Sequence, residues 1–379
     1  MDLRKKVGDK KVIVMAVEHY NTLGLIRSLG EAGLSPIYIA IKGKAKVAST
    51  SKYISTCHYV NNSAQAYSIL MDNYKDKNNK AFVLCIDDKT ISYMDERYDD
   101  LKEYFYFFNA GSVGQVNKYM DKLNILEAAE KCGLKTLKAY RCKNGEVPRE
   151  VRYPVITKAI SPVVGGWKSD VHICNSKAEL EEAYEHIEAP EVLVQEYIEK
   201  KNEYCLEGFS VNHGKDMLIT IASTYNYLLP NYYSPYMTVR NMDDENLHKK
   251  LNDLMSLIGF EGIYDIEFLI DQDDTLYFGE INFRNSTWSY ASTVAGMNIP
   301  ALWIESTIDK AIPKDAYSKI EKPFTAMVEP IDYGKRVDNG KITYAEWLAD
   351  FKDAKCLYYY NENDREPFYE MMKNFEIMK

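Results

Sequence analysis

Residues 11–41 restrict the fold more than any other stretch of the chain. Val12-Ile-Val-Met-Ala-Val17 reads as a buried strand, Thr22 to Ala32 as a helix that stops at Gly33, and Pro36-Ile-Tyr-Ile-Ala-Ile41 as the next strand. Together they form one βαβ unit. Ile54 to Val60, Ala81 to Ile86 and Tyr104 to Phe108 add further short strands, with a helix over Ala64–Tyr74. Strands alternating with helices in this way imply a parallel sheet covered by helices. Ligands of such sheets bind at the first strand-to-helix turn, here Glu18-His-Tyr-Asn-Thr-Leu-Gly24. That turn lacks the GxGxxG spacing that wraps a pyrophosphate, which counts against an NAD-dependent oxidoreductase.

After Gly114 the order of elements changes. A helix over Lys118–Lys131 ends at Gly133, and strand-like pieces follow at Pro154–Ala159, Asp170–Cys174, Val192–Ile198, Tyr204–Val211 and Leu218–Tyr225. The helix Asn246–Ile258 precedes two strands, Gly262–Ile270 and Leu276–Phe283, which form a hairpin over acidic Asp271-Gln-Asp-Asp274. Mixed order of this kind predicts α+β lobes. The expected division is an α/β domain over 1–115, a two-lobed domain over 116–310 with a lid at about 140–200, and an appended segment over 311–379. That last segment carries an amphipathic helix near Thr343–Phe351 and an aromatic strand at Leu357–Tyr360.

Composition narrows the function. The 379 residues carry a net charge of −9 and no basic stripe, so nucleic acid is not an expected partner. No apolar run is long enough to span a bilayer, and the charged start lacks the core of a signal peptide. A cytoplasmic enzyme is the expectation. The seven cysteines are scattered without a CxxC pair, and the six histidines form no HExxH. Any working metal would be held by carboxylates.

The chemistry concentrates in Phe278-Gly-Glu-Ile-Asn-Phe-Arg284. Side chains two apart on a strand share a face, which aligns Glu280, Asn282 and Arg284. The first two are hard oxygen donors suited to Mg²⁺, and the third suits a phosphate or carboxylate. Glu267, thirteen residues earlier on the preceding strand, falls on the same face if the connection has even parity. Two such carboxylates clamp the metal ions of a nucleoside triphosphate. Leu276 and Phe278 share the parity of Glu280, so this face is expected to begin buried and turn polar. Upstream, Lys158 near the end of an apolar strand needs an anion, and the following Ser161–Trp167 holds Gly165 and Gly166, able to close over phosphates. Val192–Ile198 runs into the charged turn Glu199–Glu203, which on its own reads first as a solvated surface turn and second as a place where Glu203 would hold ribose hydroxyls and the backbone of Glu196, Tyr197 and Ile198 would read an adenine edge.

The order of these pieces, from Asp121-Lys122 to Glu280-x-Asn282-x-Arg284, resembles the ATP-grasp superfamily across roughly residues 1–310. The resemblance implies an N-terminal parallel-sheet domain followed by a two-lobed fold that sandwiches ATP. Lys122 and Lys158 would contact the nucleotide phosphates, Glu196 to Ile198 would face adenine, and Glu203 would face ribose. Glu267, Glu280 and Asn282 would hold Mg²⁺ (or Mn²⁺), with Arg284 at the transferring phosphate. Asn282-Phe-Arg-Asn-Ser-Thr-Trp-Ser-Tyr290 is similar to the post-metal segment of single-chain carboxylate–amine ligases near carbamoyl-phosphate synthase and the D-aspartate ligases. The implied activity joins a small carboxylate to an amine, an amino acid or peptide-like compound, through an acyl phosphate, releasing ADP and phosphate. Ammonia or a thiol as nucleophile, and a silent nucleotide-binding regulator, are the alternatives, and a homodimer is an open expectation. Glu18, Asn21, Tyr225, Arg240, Ser286, Trp288 and Tyr290 flank the implied cleft as acceptor-site candidates.

Overall fold

The computed structural model describes residues 3–162, 170–229 and 233–379. Strands β1 (Val12–Val17), β2 (Ile37–Ile41), β3 (Thr56–Val60), β4 (Ala81–Leu84) and β5 (Phe105–Phe107) form one sheet in the order β3-β2-β1-β4-β5. All its pairings are parallel. Ile13, Val14, Met15, Phe82, Val83 and Leu84 have no exposed surface. Each such side chain contributes roughly 1.5–3 kcal/mol through burial, so the central strands of this sheet are core on both faces.

A small antiparallel sheet follows, built from β6 (Ala139–Lys143), β7 (Val155–Ala159), β8 (Ile173–Cys174) and β9 (Glu191–Glu196) in the order β6-β9-β7-β8. It has its own core of Val155, Leu180, Val192 and Val194. The strand expected over Asp170–Cys174 is shorter. Only Ile173–Cys174 pairs regularly, while the Asp170 carbonyl accepts from the Thr157 hydroxyl at 2.7 Å.

The third sheet has seven strands in the order β14-β13-β10-β11-β12-β15-β16. They are β10 (Asn202–Val211), β11 (Asp216–Tyr225), β12 (Tyr236–Arg240), β13 (Gly262–Ile270), β14 (Leu276–Asn282), β15 (Phe324–Met327) and β16 (Cys356–Leu357). Residues 311–379 thus supply its last two strands. The aromatic strand expected at Leu357–Tyr360 stops early, because the amides of Tyr358, Tyr359 and Tyr360 donate to the buried Glu329 carboxylate. The single helix expected over Lys118–Lys131 is two, Gln115–Met120 and Lys122–Lys131. Between them Asp121 is extended and caps the second helix, accepting from Leu123 N and Asn124 N at 3.1 Å each.

Several long-range contacts join the N-terminal domain to the rest. Asn109 and Glu261 exchange backbone hydrogen bonds of 3.0 and 2.8 Å. Arg27, with no exposed surface, donates to the Asp364 carboxylate at 3.0 Å and to the carbonyls of Tyr358 and Tyr359 at 2.7 and 2.9 Å. Asp364 also accepts from Ser51 Oγ and Lys52 N.

Candidate active site

The site is built on β10, β13 and β14. Antiparallel register sets Glu207 opposite Asp265 and Asp265 opposite Asn282, while Cys205 faces Glu267 and Glu267 faces Glu280. Side chains directly opposite across a ladder share a face. Two adjacent rows therefore carry Glu207, Asp265, Asn282, Glu267 and Glu280 on one surface of the sheet.

A β-bulge makes this possible. The register shifts between Glu267 and Phe268, so that Phe268 opposes Phe278 and Gly279 is the extra residue. A side chain at Gly279 would come within 3.0 Å of the Glu267 carbonyl oxygen, which favours glycine there. The bulge corrects the parity expected for β14. Phe278 lies on the face opposite Glu280, packed against Phe268 at 5.7 Å and buried with Ile266 and Ile281. One face is thus core along this hairpin, and the other carries the carboxylates and Asn282 at its middle.

Charges from other elements close over that face. Lys122, the first residue of its helix, is fixed by its own N–H on the Ile160 carbonyl at 2.8 Å, and its ammonium pairs with Glu280. Arg284 bonds Asp88 of the N-terminal domain at 2.8 Å and Asn282 Oδ1 at 3.1 Å. Lys158 reaches across the four-stranded sheet to Gln195 Oε1 at 3.1 Å. Glu203 accepts from Lys200. Glu196 and Tyr197 use their amides on the carbonyls of Lys138 and Pro154 at 2.8 and 2.9 Å, and Ile198 is half-buried beside them. Gly165 and Gly166 lie outside the described residues.

Electrostatics follow from the crowding. Burial pushes the Glu267 carboxyl well above the usual range, with Asp265 and Glu280 adding repulsion. Asp265 is raised by burial and by Glu207. Burial lifts Glu207 to about 7, although Ser286 and Ser289 donate to its two oxygens. Glu280 goes the other way, held down by the Lys122 charge. Burial, reinforced by Lys122, lowers Lys158 to about 8.

Among the acceptor-site candidates, Asn21 accepts through Oδ1 from the Asn285 side chain at 2.7 Å, joining the first βα turn to the segment after β14. Ser286 binds Glu207, Trp288 and Tyr290 pack on Tyr358, and the Tyr290 hydroxyl donates to Glu31 at 2.9 Å. Tyr225 is buried on β11. Glu18 instead ties down the amides of Val47 and Ser49, and Arg240 is exposed and bonds Thr224. Sequence reasoning missed Asp88, Gln195, Glu207 and Asp265. The period-two spacing of Asp265 with Glu267 was the one available signal.

The donor set fits a divalent cation in chemistry. Glu267, Glu280 and Asn282 are hard oxygen ligands on neighbouring strands, and Asp265 Oδ1 is buried with no hydrogen-bond partner among the described residues. Among those residues, however, no three His, Cys, Asp or Glu side chains already converge as a metal-ligand group. Nor is any helix among them long and apolar enough to cross a membrane.

Residues 121–308 match the family described as carbamoyl-phosphate synthase L chain, ATP binding domain. The chain is 29% identical over 170 residues to the D-alanine–D-alanine ligase of Fusobacterium nucleatum, a match covering 43% of this chain and 55% of that ligase. It thus spans about half the length of that curated relative. Biotin carboxylase from Campylobacter jejuni superposes with a TM-score of 0.67 at 17% identity, over 84% of this chain and 75% of that one. N5-carboxyaminoimidazole synthetase from Staphylococcus aureus gives 0.64 at 15% identity, over 87% and 85%. An L-amino acid ligase from Bacillus licheniformis gives 0.63 at 13% identity, over 83% and 78%. Residues 121–308, with Glu267, Glu280 and Asn282 on one face and Arg284 beside them, match an ATP-binding domain of the carbamoyl-phosphate synthase type, the ATP-grasp arrangement.

Proposed function

We propose that this chain is an ATP-dependent carboxylate–amine ligase that acts in the cytoplasm on amino acids or peptide-like compounds. One arrangement carries the reading. Glu267 faces Glu280 and Asp265 faces Asn282 on adjacent strands, and Lys122, Lys158 and Arg284 all act on the Glu280 charge. A carboxylate oxygen of one substrate attacks the γ-phosphorus of ATP, ADP leaves, and an acyl phosphate forms. The amine of the second substrate then attacks the acyl carbon, phosphate departs, and the amine loses a proton.

The chain's own residues serve these steps by position and charge. Lys158 and Lys122 meet phosphate oxygens of bound ATP, as compact charges do. Arg284, aimed from the metal strand and steadied by Asp88, meets charge that grows as the phosphoryl group moves. Glu203 takes the ribose. Adenine is read by Ile198 and the strand carbonyls, since the Glu196 and Tyr197 amides are already bonded. Glu267, Glu280 and Asn282 would hold Mg²⁺, with Mn²⁺ suited to the same donors, and the bound ion would neutralise charge on the β- and γ-phosphates. The amino-acid class is supported by the relatives described as D-alanine–D-alanine ligase and L-amino acid ligase.

Product analysis tests the reading. Screening amino acids and dipeptides with labelled ATP should show ADP and phosphate released only when a carboxylate and an amine are both present. AMP and pyrophosphate would overturn the acyl-phosphate route.

A further inference from the structure

Each side chain assigned above to a divalent metal is turned toward another protein group. Glu280 Oε2 accepts from the Lys122 ammonium. The Asn282 amide donates through Nδ2 to Glu267 Oε1 at 2.9 Å and to Asp265 Oδ2 at 3.1 Å. Its Oδ1, the atom a metal would need, accepts from Arg284 at 3.1 Å. Chemistry fixes this orientation: a flipped amide would set its oxygen against two carboxylates and its NH₂ against a guanidinium, which has no acceptor.

The ligand-free site is therefore neutralised from within. Lys122 stands on one metal carboxylate, and Arg284 holds the amide oxygen beside it. Of the two cations Lys122 is the one built to leave. Its backbone is anchored through Ile160, but its charge sits at the end of a flexible stem, whereas the Arg284 guanidinium is also held by Asp88. Lys158, with its ammonium on Gln195, does not share Glu280's hydrogen bond.

We propose that Lys122 occupies the place of the metal charge on Glu280 in the ligand-free chain. It releases that carboxylate only when nucleotide phosphates take its ammonium, so metal binding requires nucleotide. The proposal rests on the ligase reading for the identity of both ligands. The coupling is reciprocal: the factor by which nucleotide tightens metal equals the factor by which metal tightens nucleotide.

The test is titration of the purified chain with Mn²⁺ alone and with Mn²⁺ plus ADP, with the free ion read by electron paramagnetic resonance. In the wild-type chain ADP should tighten Mn²⁺ by about tenfold or more. Lys122→Met should bind Mn²⁺ alone about tenfold tighter than wild type, with ADP adding less than roughly threefold. Lys122→Arg, which keeps the charge, should stay weak. Lys200→Met removes a nearby lysine paired with Glu203 rather than Glu280, and should change Mn²⁺ affinity by less than roughly threefold. Lys122→Met binding no tighter than wild type would overturn the proposal. So would an equal gain in Lys200→Met, which would mean bulk charge alone. If Lys122→Met fails to fold, the wild-type titration still decides, because tightening by ADP of less than roughly threefold would also overturn it. No turnover is involved. A chain that gates Mn²⁺ as expected but releases no phosphate from ATP fails the ligase reading alone, and an active ligase indifferent to Lys122→Met in metal binding fails this proposal alone.

Discussion

In the five-stranded N-terminal sheet the central strands β1 and β4 are apolar on both faces, and charge is displaced to the loops at their ends, where Glu18, Asp87 and Asp88 sit. In the seven-stranded sheet β13 and β14 are apolar on one face and crowded with carboxylates on the other. The first sheet gains its stability from strands and lends its loops to the site. The second places reactive groups in the strands themselves, where neighbouring ladders fix their spacing to within a fraction of an ångström and flexible loops would not. That precision has a thermodynamic cost, because like charges are held together away from water. The contrast predicts that substitutions in the two sheets fail in different ways.

The largest effect should come from Ile13→Asp. An unpaired charge placed between two covered faces costs several kcal/mol, so soluble folded protein should be lost, as read by circular dichroism of whatever is recovered. Glu280→Gln should do the reverse. The fold should persist with an unchanged circular dichroism spectrum while turnover falls by about 10²–10³, since a neutral amide binds Mg²⁺ poorly. Near-native turnover in that variant would remove Glu280 from the metal set.

Lys158 sharpens the contrast on the four-stranded sheet. Lys158→Ala should weaken ATP by about ten- to a hundredfold, as loss of one or two charge-assisted bonds requires. Because burial lowers this ammonium to about 8, it is charged below that pH and neutral above it in the free chain. Phosphate binding favours the charged form. Wild-type ATP affinity should therefore hold up to pH 8 and fall by at most about tenfold per unit above it, while Lys158→Ala shows no such slope. Calorimetric titration across pH 7–9.5 (about the range over which this ammonium would change charge) checks both.

The smallest effect concerns stability. The Glu267 carboxyl has its folded pKa raised above the unfolded one, so its charge opposes folding at neutral pH, and the opposition fades as pH falls toward the unfolded value. Glu267→Gln should remove turnover yet raise Tm at pH 7 by about 2 °C or more. A lower Tm would mean that the acidic face is not strained.

Much of this organisation was legible in sequence because it is local. The βαβ unit follows from two apolar runs and a glycine stop, and the hairpin over Asp271–Asp274 follows from turn chemistry. The shared face of Glu280 and Asn282 follows from spacing alone. The placement of Phe278 did not, because a bulge reverses parity and Gly279 does not announce one. Asp88, Gln195 and Glu207 were invisible for a different reason: their partners Arg284, Lys158 and Ser286 lie 196, 37 and 79 positions away, and only the folded register brings them together. The shortened strand after Cys356 belongs to the same class, since its amides are taken by Glu329 from another element.

Arg27 gives the molecule a direction in time. The ribosome makes this residue within the helix Tyr20–Glu31 of the N-terminal domain, but its carboxylate partner, Asp364, is specified 337 positions later. Until then the nascent domain holds a guanidinium with no counter-charge in a place fully closed to water in the finished molecule. A domain of local, parallel βαβ units is free to begin folding as it emerges, yet its last side of packing must wait for residues 358–364. Synthesis must reach residues 358–364 before the first domain can close, and the joint that closes it also fastens the aromatic segment behind Trp288 and Tyr290.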